Sequence, residues 1–176
     1  MKMNTKILLI ALLSVFSSPV FSEHMYGSFS LGTASESDLI SAGQTASGMS
    51  YSLLFGFHIN KNFAYEVGYT SLFSSASVAN AATKKTLRGI EVAGVGNYPV
   101  DEQFSIFARL GYANMDPSYS SGPVVENLVG FDYGLGAQYD INQKISVRAG
   151  YNIYNFTSHS GDSIVNNTYA SVQYNF

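Results

Sequence analysis

Five charged residues stand singly inside runs that otherwise alternate apolar and small side chains: Glu66, Glu91, Arg109, Asp132 and Arg148. Paired carboxylates can perform general acid–base catalysis, but that chemistry needs a cleft that admits a substrate. Acids interleaved with arginines instead form ion-pair networks, which must be nearly charge-balanced when they are buried. Three acids against two arginines meet that condition. We therefore predict a buried network that plugs the fold, with a gate that limits ion passage as the alternative interpretation.

The histidines suggest two other kinds of chemistry, and the sequence supports neither. His24, His58 and His159 share no spacing typical of metal ligands, so no metal site is expected. His159-Ser160 with Asp162 suggests a hydrolase, but neighbours within one loop rarely hold a nucleophile and a base in fixed geometry. The chain has no Cys, which excludes disulfides and thiolate metal sites. We expect no catalytic residue and no cofactor.

The elements that must position the charged residues are β-strands, and segment 131–153 indicates this most clearly. Successive side chains in a strand point to opposite faces. One face of this segment is aromatic and aliphatic, while the other carries Gly, Ser, Asn and Gln with Asp132 and Arg148. A tight turn at 140–143 divides the segment into two strands of about ten residues. The pattern predicts a hairpin.

The composition of the two faces decides which of them lies inside. A soluble barrel would show water a surface dense in charge, whereas the polar face here has only isolated charges. Strands of about ten residues with apolar side chains outward and small or polar side chains inward are typical of membrane barrels. Such strands must close into a barrel, because every backbone group in lipid needs an internal partner.

The same alternation recurs along the chain and predicts eight strands. Beyond the hairpin, strands are expected to begin near residues 25, 51, 63, 87, 104 and 168. Short turns are expected at 60–62, 99–103 and 140–143. Longer polar loops are expected at 35–48, 74–85, 116–126 and 156–166. Strict alternation of short turns and long loops is the pattern of outer-membrane barrels, and eight strands leave an interior that side chains can fill.

Residues 1–22 have the pattern of a secretory signal peptide. Lys2 and Lys6 give a basic start, residues 7–16 form an apolar run, and Val20 and Ser22 occupy the expected cleavage positions. Ten apolar residues are too few to cross about 30 Å of hydrocarbon as a helix. We predict cleavage before Glu23, which leaves one barrel domain at 23–176.

The charge balance argues against nucleic acid as a partner. Without Lys2 and Lys6 the chain has seven basic residues against twelve acidic residues, and no basic patch. Thirteen Tyr and twelve Phe residues, with no Trp, are many for a chain so poor in charge.

Several motifs in region 59–176 are shared with a known family. They are Glu66-Val67-Gly68-Tyr69, Tyr98-Pro99-Val100-Asp101, Phe107-Ala108-Arg109-Leu110-Gly111, and the stretch from Tyr139-Asp140-Ile141 to Val147-Arg148. On these residues the chain resembles the transmembrane domain of the outer membrane protein A family. The resemblance implies an eight-stranded barrel plugged by inward Glu and Arg residues, and it places Glu66, Arg109 and Arg148 among them.

The chain departs from that family at two inward positions. Val95 stands where the family has a Lys, and Gln138 stands where it has a Glu. Glu91 and Asp132 are expected to supply substitute partners for the arginines. Many family members continue into a peptidoglycan-binding domain, whereas the resemblance here covers the barrel alone, so no attachment to the cell wall is expected.

We therefore predict an all-β protein, an eight-stranded antiparallel up-and-down transmembrane β-barrel exported to the outer membrane. Its expected role is structural or at the cell surface, through envelope integrity, adhesion or contact with host factors. Its expected partners are outer-membrane lipid and lipopolysaccharide, with host surface or matrix proteins as candidates for its loops. It is not expected to be an enzyme. The alternatives are a narrow, low-conductance porin-like channel and, in third place, a lipid-modifying enzyme.

Overall fold

The computed structural model describes residues 25–38, 45–78, 84–119, 127–158 and 161–176. Eight strands account for almost all of them. The strands are β1 (Met25–Asp38), β2 (Thr45–Asn60), β3 (Phe63–Val78), β4 (Lys84–Pro99), β5 (Phe104–Tyr119), β6 (Leu128–Asp140), β7 (Ile145–Ser158) and β8 (Gly161–Asn175).

The strands form a closed barrel in which each strand pairs antiparallel with its neighbours in sequence. β8 returns to pair with β1, from Tyr26 opposite Asn175 to Asp38 opposite Ser163. Closure leaves no strand edge exposed. The prediction of an all-β, eight-stranded antiparallel barrel is confirmed. Within the described residues, no helix has the length and apolar character needed to cross a membrane.

Alternation along the strands sorts the side chains into an apolar outer face and a mixed inner face, as predicted. Large apolar side chains are exposed on every strand of the barrel. Examples, one from each strand, are Phe29, Leu53, Tyr65, Ile90, Leu110, Leu135, Tyr151 and Val172. The five charged residues singled out in the sequence lie on the inner face, and all five are buried.

The two ends of the barrel differ. One end, here called the turn end, holds the connections 61–62, 100–103 and 141–144 together with Met25 and Phe176. At each turn, the side-chain oxygen of an Asn or Asp accepts hydrogen bonds from two backbone N–H groups. The donors are the residues two and three positions later in the sequence. The accepting residues are Asn60, Asp101 and Asn142, and the six bonds measure 2.6–3.0 Å. Such Asx turns hold a hairpin closed through its own sequence.

At the opposite end, here called the loop end, the strands are longer than predicted. Segments expected to be loops continue as strand: β1 runs to Asp38, β3 to Val78 and β5 to Tyr119. The expected loop at 156–166 is wrong, since β7 continues to Ser158 and β8 begins at Gly161. Beyond the lipid band a strand needs no apolar face, so Ser, Ala, Thr and Asn can continue the ladder although their composition resembles that of a loop.

β3 contains an irregularity that alternation alone does not predict. Its register with β4 shifts between Ser71 and Phe73. As a result Ser71, Leu72 and Phe73 are all buried, each with at most 1% of its surface exposed. A bulge of this kind redirects a side chain and bends the strand. Here it places two large apolar residues in succession inside the lumen.

Candidate functional site

The candidate site is the charged layer, which we define as Glu66, Glu91, Arg109, Asp132 and Arg148. Five different strands contribute these residues, β3 to β7 in order. Each side chain points inward, and no residue of the set is more than 5% exposed. The structure therefore brings together every residue that the sequence nominated for the network.

Arg109 is the centre of the charged layer because its guanidinium contacts all three carboxylates. Nε lies 3.3 Å from Glu66 Oε2, Nη2 lies 2.9 Å from Glu91 Oε1, and Nη1 donates to Asp132 Oδ1. An arginine has donors in a fixed fork, so one residue can hold three acids that come from different strands. The two acids expected to substitute for missing family residues, Glu91 and Asp132, both serve as partners of Arg109.

Arg148 extends the network toward the turn end. Its Nη1 donates to Glu66 Oε1 at 2.7 Å, and its Nε donates to Gln138 Oε1 at 2.6 Å. Gln138 in turn donates from Nε2 to Asp140 Oδ1 at 2.7 Å. The amide at position 138 thus accepts a bond from the arginine without adding a charge. The charged layer remains at three carboxylates and two guanidinium groups.

Two aromatic rings hold Arg148 in place. Its Cζ lies 5.2 Å from the ring centroid of Tyr26 and 5.2 Å from that of Phe107. The Tyr26 hydroxyl also donates to Glu66 Oε1 at 2.7 Å. A guanidinium over an aromatic face is attracted by the ring quadrupole, and the attraction is strongest where water is excluded.

Each of these rings lies against a glycine that it faces across the sheet. Tyr26 pairs with Gly56, and Phe107 pairs with Gly136. A Cβ at Gly56 would lie 2.0 Å from Tyr26 Cζ, and one at Gly136 would lie 2.3 Å from Phe107 Cζ. The absence of a side chain at these two positions lets the rings lie flat along the wall. Val95, where the family has a Lys, packs in the same cluster as the two rings.

The loop end of the lumen is closed by a second layer, which is apolar. We call it the apolar cluster, and it comprises Ala34, Leu72, Phe73, Leu87, Ala113, Met115, Leu128, Tyr154, Phe156 and Val165. Most of these residues are at most 2% exposed. The Tyr154 and Phe156 rings stack with centroids 5.9 Å apart. The sequence pattern did not predict this layer. Extending each predicted strand by a few residues places its members on the inner face, except Phe73, which the bulge in β3 turns inward.

The turn end of the lumen contains a cavity of about 640 Å³, lined mostly by residues with polar side chains. Amide side chains are prominent in its lining, including Asn97, Gln138, Gln173 and Asn175. We call it the vestibule. His58 also lines it, with its ring 4.8 Å from that of Tyr26. Across the part of the chain that the structure describes, no group of three or more acids, histidines or cysteines is arranged to hold a metal ion. His24, His159 and Ser160 lie outside the described residues.

A known family covers nearly the whole chain. The model of the outer membrane protein beta-barrel domain matches residues 8–176. The chain belongs to the outer membrane protein beta-barrel domain family. The predicted relation to outer-membrane barrels is thereby confirmed. As a family member the protein lies in the outer membrane, so its exposed apolar outer face meets lipid. Barrels of this kind place their short turns in the periplasm and their longer loops outside, which assigns the turn end to the periplasm.

Solved structures of similar fold come from several outer-membrane barrels. Neisserial surface protein A has a TM-score of 0.73 at 17% identity, with 86% of this chain and 97% of that chain covered. Ail, the attachment invasion locus protein of Yersinia pestis, has a TM-score of 0.57 at 16% identity, with 87% and 99% covered. OprG of Pseudomonas aeruginosa has a TM-score of 0.53 at 11% identity, with 88% and 97% covered. At these identities the likeness shows the fold. No curated protein sequence matches the chain.

Proposed function

We propose that this outer-membrane barrel acts as a closed wall element that presents its loop end at the cell surface, where it supports envelope integrity and contact with host surface or matrix proteins. The observation that carries the proposal is the occupied lumen. The charged layer and the apolar cluster follow one another along the axis, and each is buried. Eight-stranded barrels have interiors that side chains fill, so the passage of ions or solutes through the lumen is disfavoured.

The remaining surfaces support a role at the outside of the cell. The outer face of the barrel contacts lipid, and the turn end faces the periplasm. Functional contacts concentrate on loops that a rigid scaffold carries. The names of two proteins of similar fold refer to the cell surface or to attachment. They are Neisserial surface protein A and Ail, the attachment invasion locus protein.

Whole-cell binding tests the surface role. Cells that display the protein would be applied to immobilised host matrix and serum proteins, beside cells with a version whose loop-end connections are shortened. Equal surface levels and folded mobility on an unboiled detergent gel serve as controls. Binding that disappears on shortening supports the proposal. Equal, negligible binding by both versions contradicts the surface-contact part and leaves the structural part.

A narrow channel is the second candidate, and the vestibule is the observation that favours it. A cavity of about 640 Å³, lined mostly by residues with polar side chains, leads from the periplasmic end to Gln138 and thus to the charged layer. A gate made of ion pairs should conduct once Arg109 is removed. Single-channel recording of the protein and of Arg109→Ala therefore separates a gated channel from a closed wall.

The proposal includes no catalytic activity. Lipid A from cells that overproduce the protein should have the same mass as lipid A from cells that lack it. A mass change that depends on the protein would support the lipid-modifying alternative instead.

A further inference from the structure

A groove on the outer face of the barrel lies at the boundary between its apolar band and its loop end. It has a volume of about 300 Å³ and is lined by Tyr69, Arg88, Ile90, Asn114, Asp116 and Asn127, together with Gly89. The strands β3, β4 and β5 form its floor, and Asn127 borders it just before β6. We call it the boundary groove.

Two successive rows of side chains give the boundary groove an apolar side and a polar side. In the row nearer the turn end, Ile90 pairs with Tyr69 on one side and with Asn114 on the other. Ile90 is 65% exposed and Tyr69 is 39% exposed. In the next row toward the loop end, Arg88 pairs with Asp116. The apolar side chains of the first row therefore border directly on the charged side chains of the second row.

The basic residues outside the lumen are distributed unevenly between the two ends. Lys61 and Lys144 lie in connections at the turn end, and Arg109 and Arg148 lie in the lumen. The other three basic residues that follow the predicted signal peptide are Lys84, Lys85 and Arg88. All three fall within the first five residues of β4, at the loop end. Of these three residues, Arg88 lines the boundary groove.

We propose that the boundary groove binds a phosphorylated lipid of the outer leaflet, with lipid A as the occupant. The Arg88 guanidinium would bond a phosphate in a charge-assisted, two-pronged geometry that suits arginine. Ile90 and Tyr69 would contact the first carbons of an acyl chain below it. Asp116 would oppose the phosphate, so its charge limits the affinity. This inference rests on membership of the outer-membrane family and is independent of the proposed surface contact.

The test compares two lipids on the purified, refolded full chain in detergent. One lipid is lipid A with both phosphates, and the other is the same lipid with its phosphates removed. Bound lipid is measured by native mass spectrometry. The protein should retain the phosphorylated lipid about tenfold better, as one charged hydrogen-bond set would give.

Three variants are expected to change lipid retention in different directions. Arg88→Gln should lower retention of the phosphorylated lipid about tenfold, to the level of the dephosphorylated lipid. Asp116→Asn should raise it, because an opposing charge is removed. Lys144→Gln removes one exposed cation at the other end and should leave retention unchanged. All variants should migrate as folded barrels on an unboiled gel.

Several outcomes would overturn the inference. Equal retention of the two lipids by the unaltered protein would do so, as would equal losses in Arg88→Gln and Lys144→Gln, which would indicate unspecific charge attraction. Retention that falls in Asp116→Asn would contradict the placement of the phosphate. Stronger retention of phosphatidylglycerol than of lipid A would reject lipid A as the occupant. None of these results bears on binding of host proteins by whole cells.

Discussion

The Tyr154 hydroxyl donates a hydrogen bond to Glu91 Oε2 at 3.1 Å. The ring of Tyr154 belongs to the apolar cluster, whereas Glu91 belongs to the charged layer and bonds Arg109 through its other oxygen. One side chain therefore connects the two layers that occupy the lumen. The position of the charged network and the packing above it are coupled through this bond.

The substitution Tyr154→Phe tests that coupling. The ring would keep its packing, but the buried Glu91 carboxylate would lose a donor, which costs about 1–3 kcal/mol of the free energy of unfolding. Tyr133→Phe is the matched control, because Tyr133 is 45% exposed on the outer face. Urea unfolding in lipid vesicles measures both. Equal unfolding midpoints for the two variants would show that the bond contributes nothing.

A second prediction concerns Gly56, the residue against which the Tyr26 ring lies. Gly56→Ala places a methyl 2.0 Å from Tyr26 Cζ. The ring must move away from Glu66 and Arg148, and overpacking of this kind costs about 1–3 kcal/mol. Gly27→Ala is the control, because a Cβ there meets nothing closer than 3.8 Å. Unfolding by urea should separate the two variants, and a Gly56→Ala protein as stable as Gly27→Ala would contradict the packing described.

The occupied lumen predicts how conductance responds to substitution. Arg109→Ala opens the charged layer but leaves the apolar cluster in series with it, so single-channel recordings should remain silent. Phe156→Ala opens the apolar cluster and leaves the charged layer closed, with the same result. Only the double variant should conduct. Conductance in Arg109→Ala alone would favour the gated channel over the closed wall.

The turns at the periplasmic end predict a local effect on stability. Asn142 Oδ1 accepts the backbone N–H groups of Lys144 and Ile145 at 2.8 and 2.9 Å. Asn142→Ala removes both bonds, and a net loss of about 1 kcal/mol is expected. Gln143→Ala in the same turn is the control, because Gln143 accepts a bond from Asn175 Nδ2 through its backbone oxygen, which the substitution keeps. A smaller loss in Asn142→Ala than in Gln143→Ala would exclude the Asx turn as the cause.

Alternation predicted the architecture because one period determines both the strand and the face that each side chain occupies. Glu66, Arg109 and Arg148 were found in this way, and the structure places them inside. The apolar cluster was not predicted because Leu72 and Phe156 stand where the apolar outer face has already ended. Outside the lipid band the composition of a strand resembles that of a loop. The bulge at Ser71–Phe73 depends on register with β4, which no local pattern reports.

The individual contacts within the charged layer could not be predicted from the sequence either. Alternation places Glu91 and Asp132 inside, but their shared pairing with Arg109 depends on how five strands stagger around the barrel. The sequence signal for Tyr26 and Phe107 was present, since each faces a glycine across the sheet. That signal requires the strand pairing to be known first. Once the register is known, these cross-strand pairs identify the two rings that contact Arg148.

The pairing of β1 with β8 makes this barrel a chain of seven local hairpins and one long-range seam. Every other pairing joins strands that follow each other in sequence, whereas Ser30 meets Ser171 across most of the chain. Folding rates fall when contacts join distant parts of a chain, so closure of the seam should be the slow step of membrane insertion. The protein contains no Cys. A single pair of cysteines at positions 30 and 171 would therefore report the moment of closure without competition from other thiols.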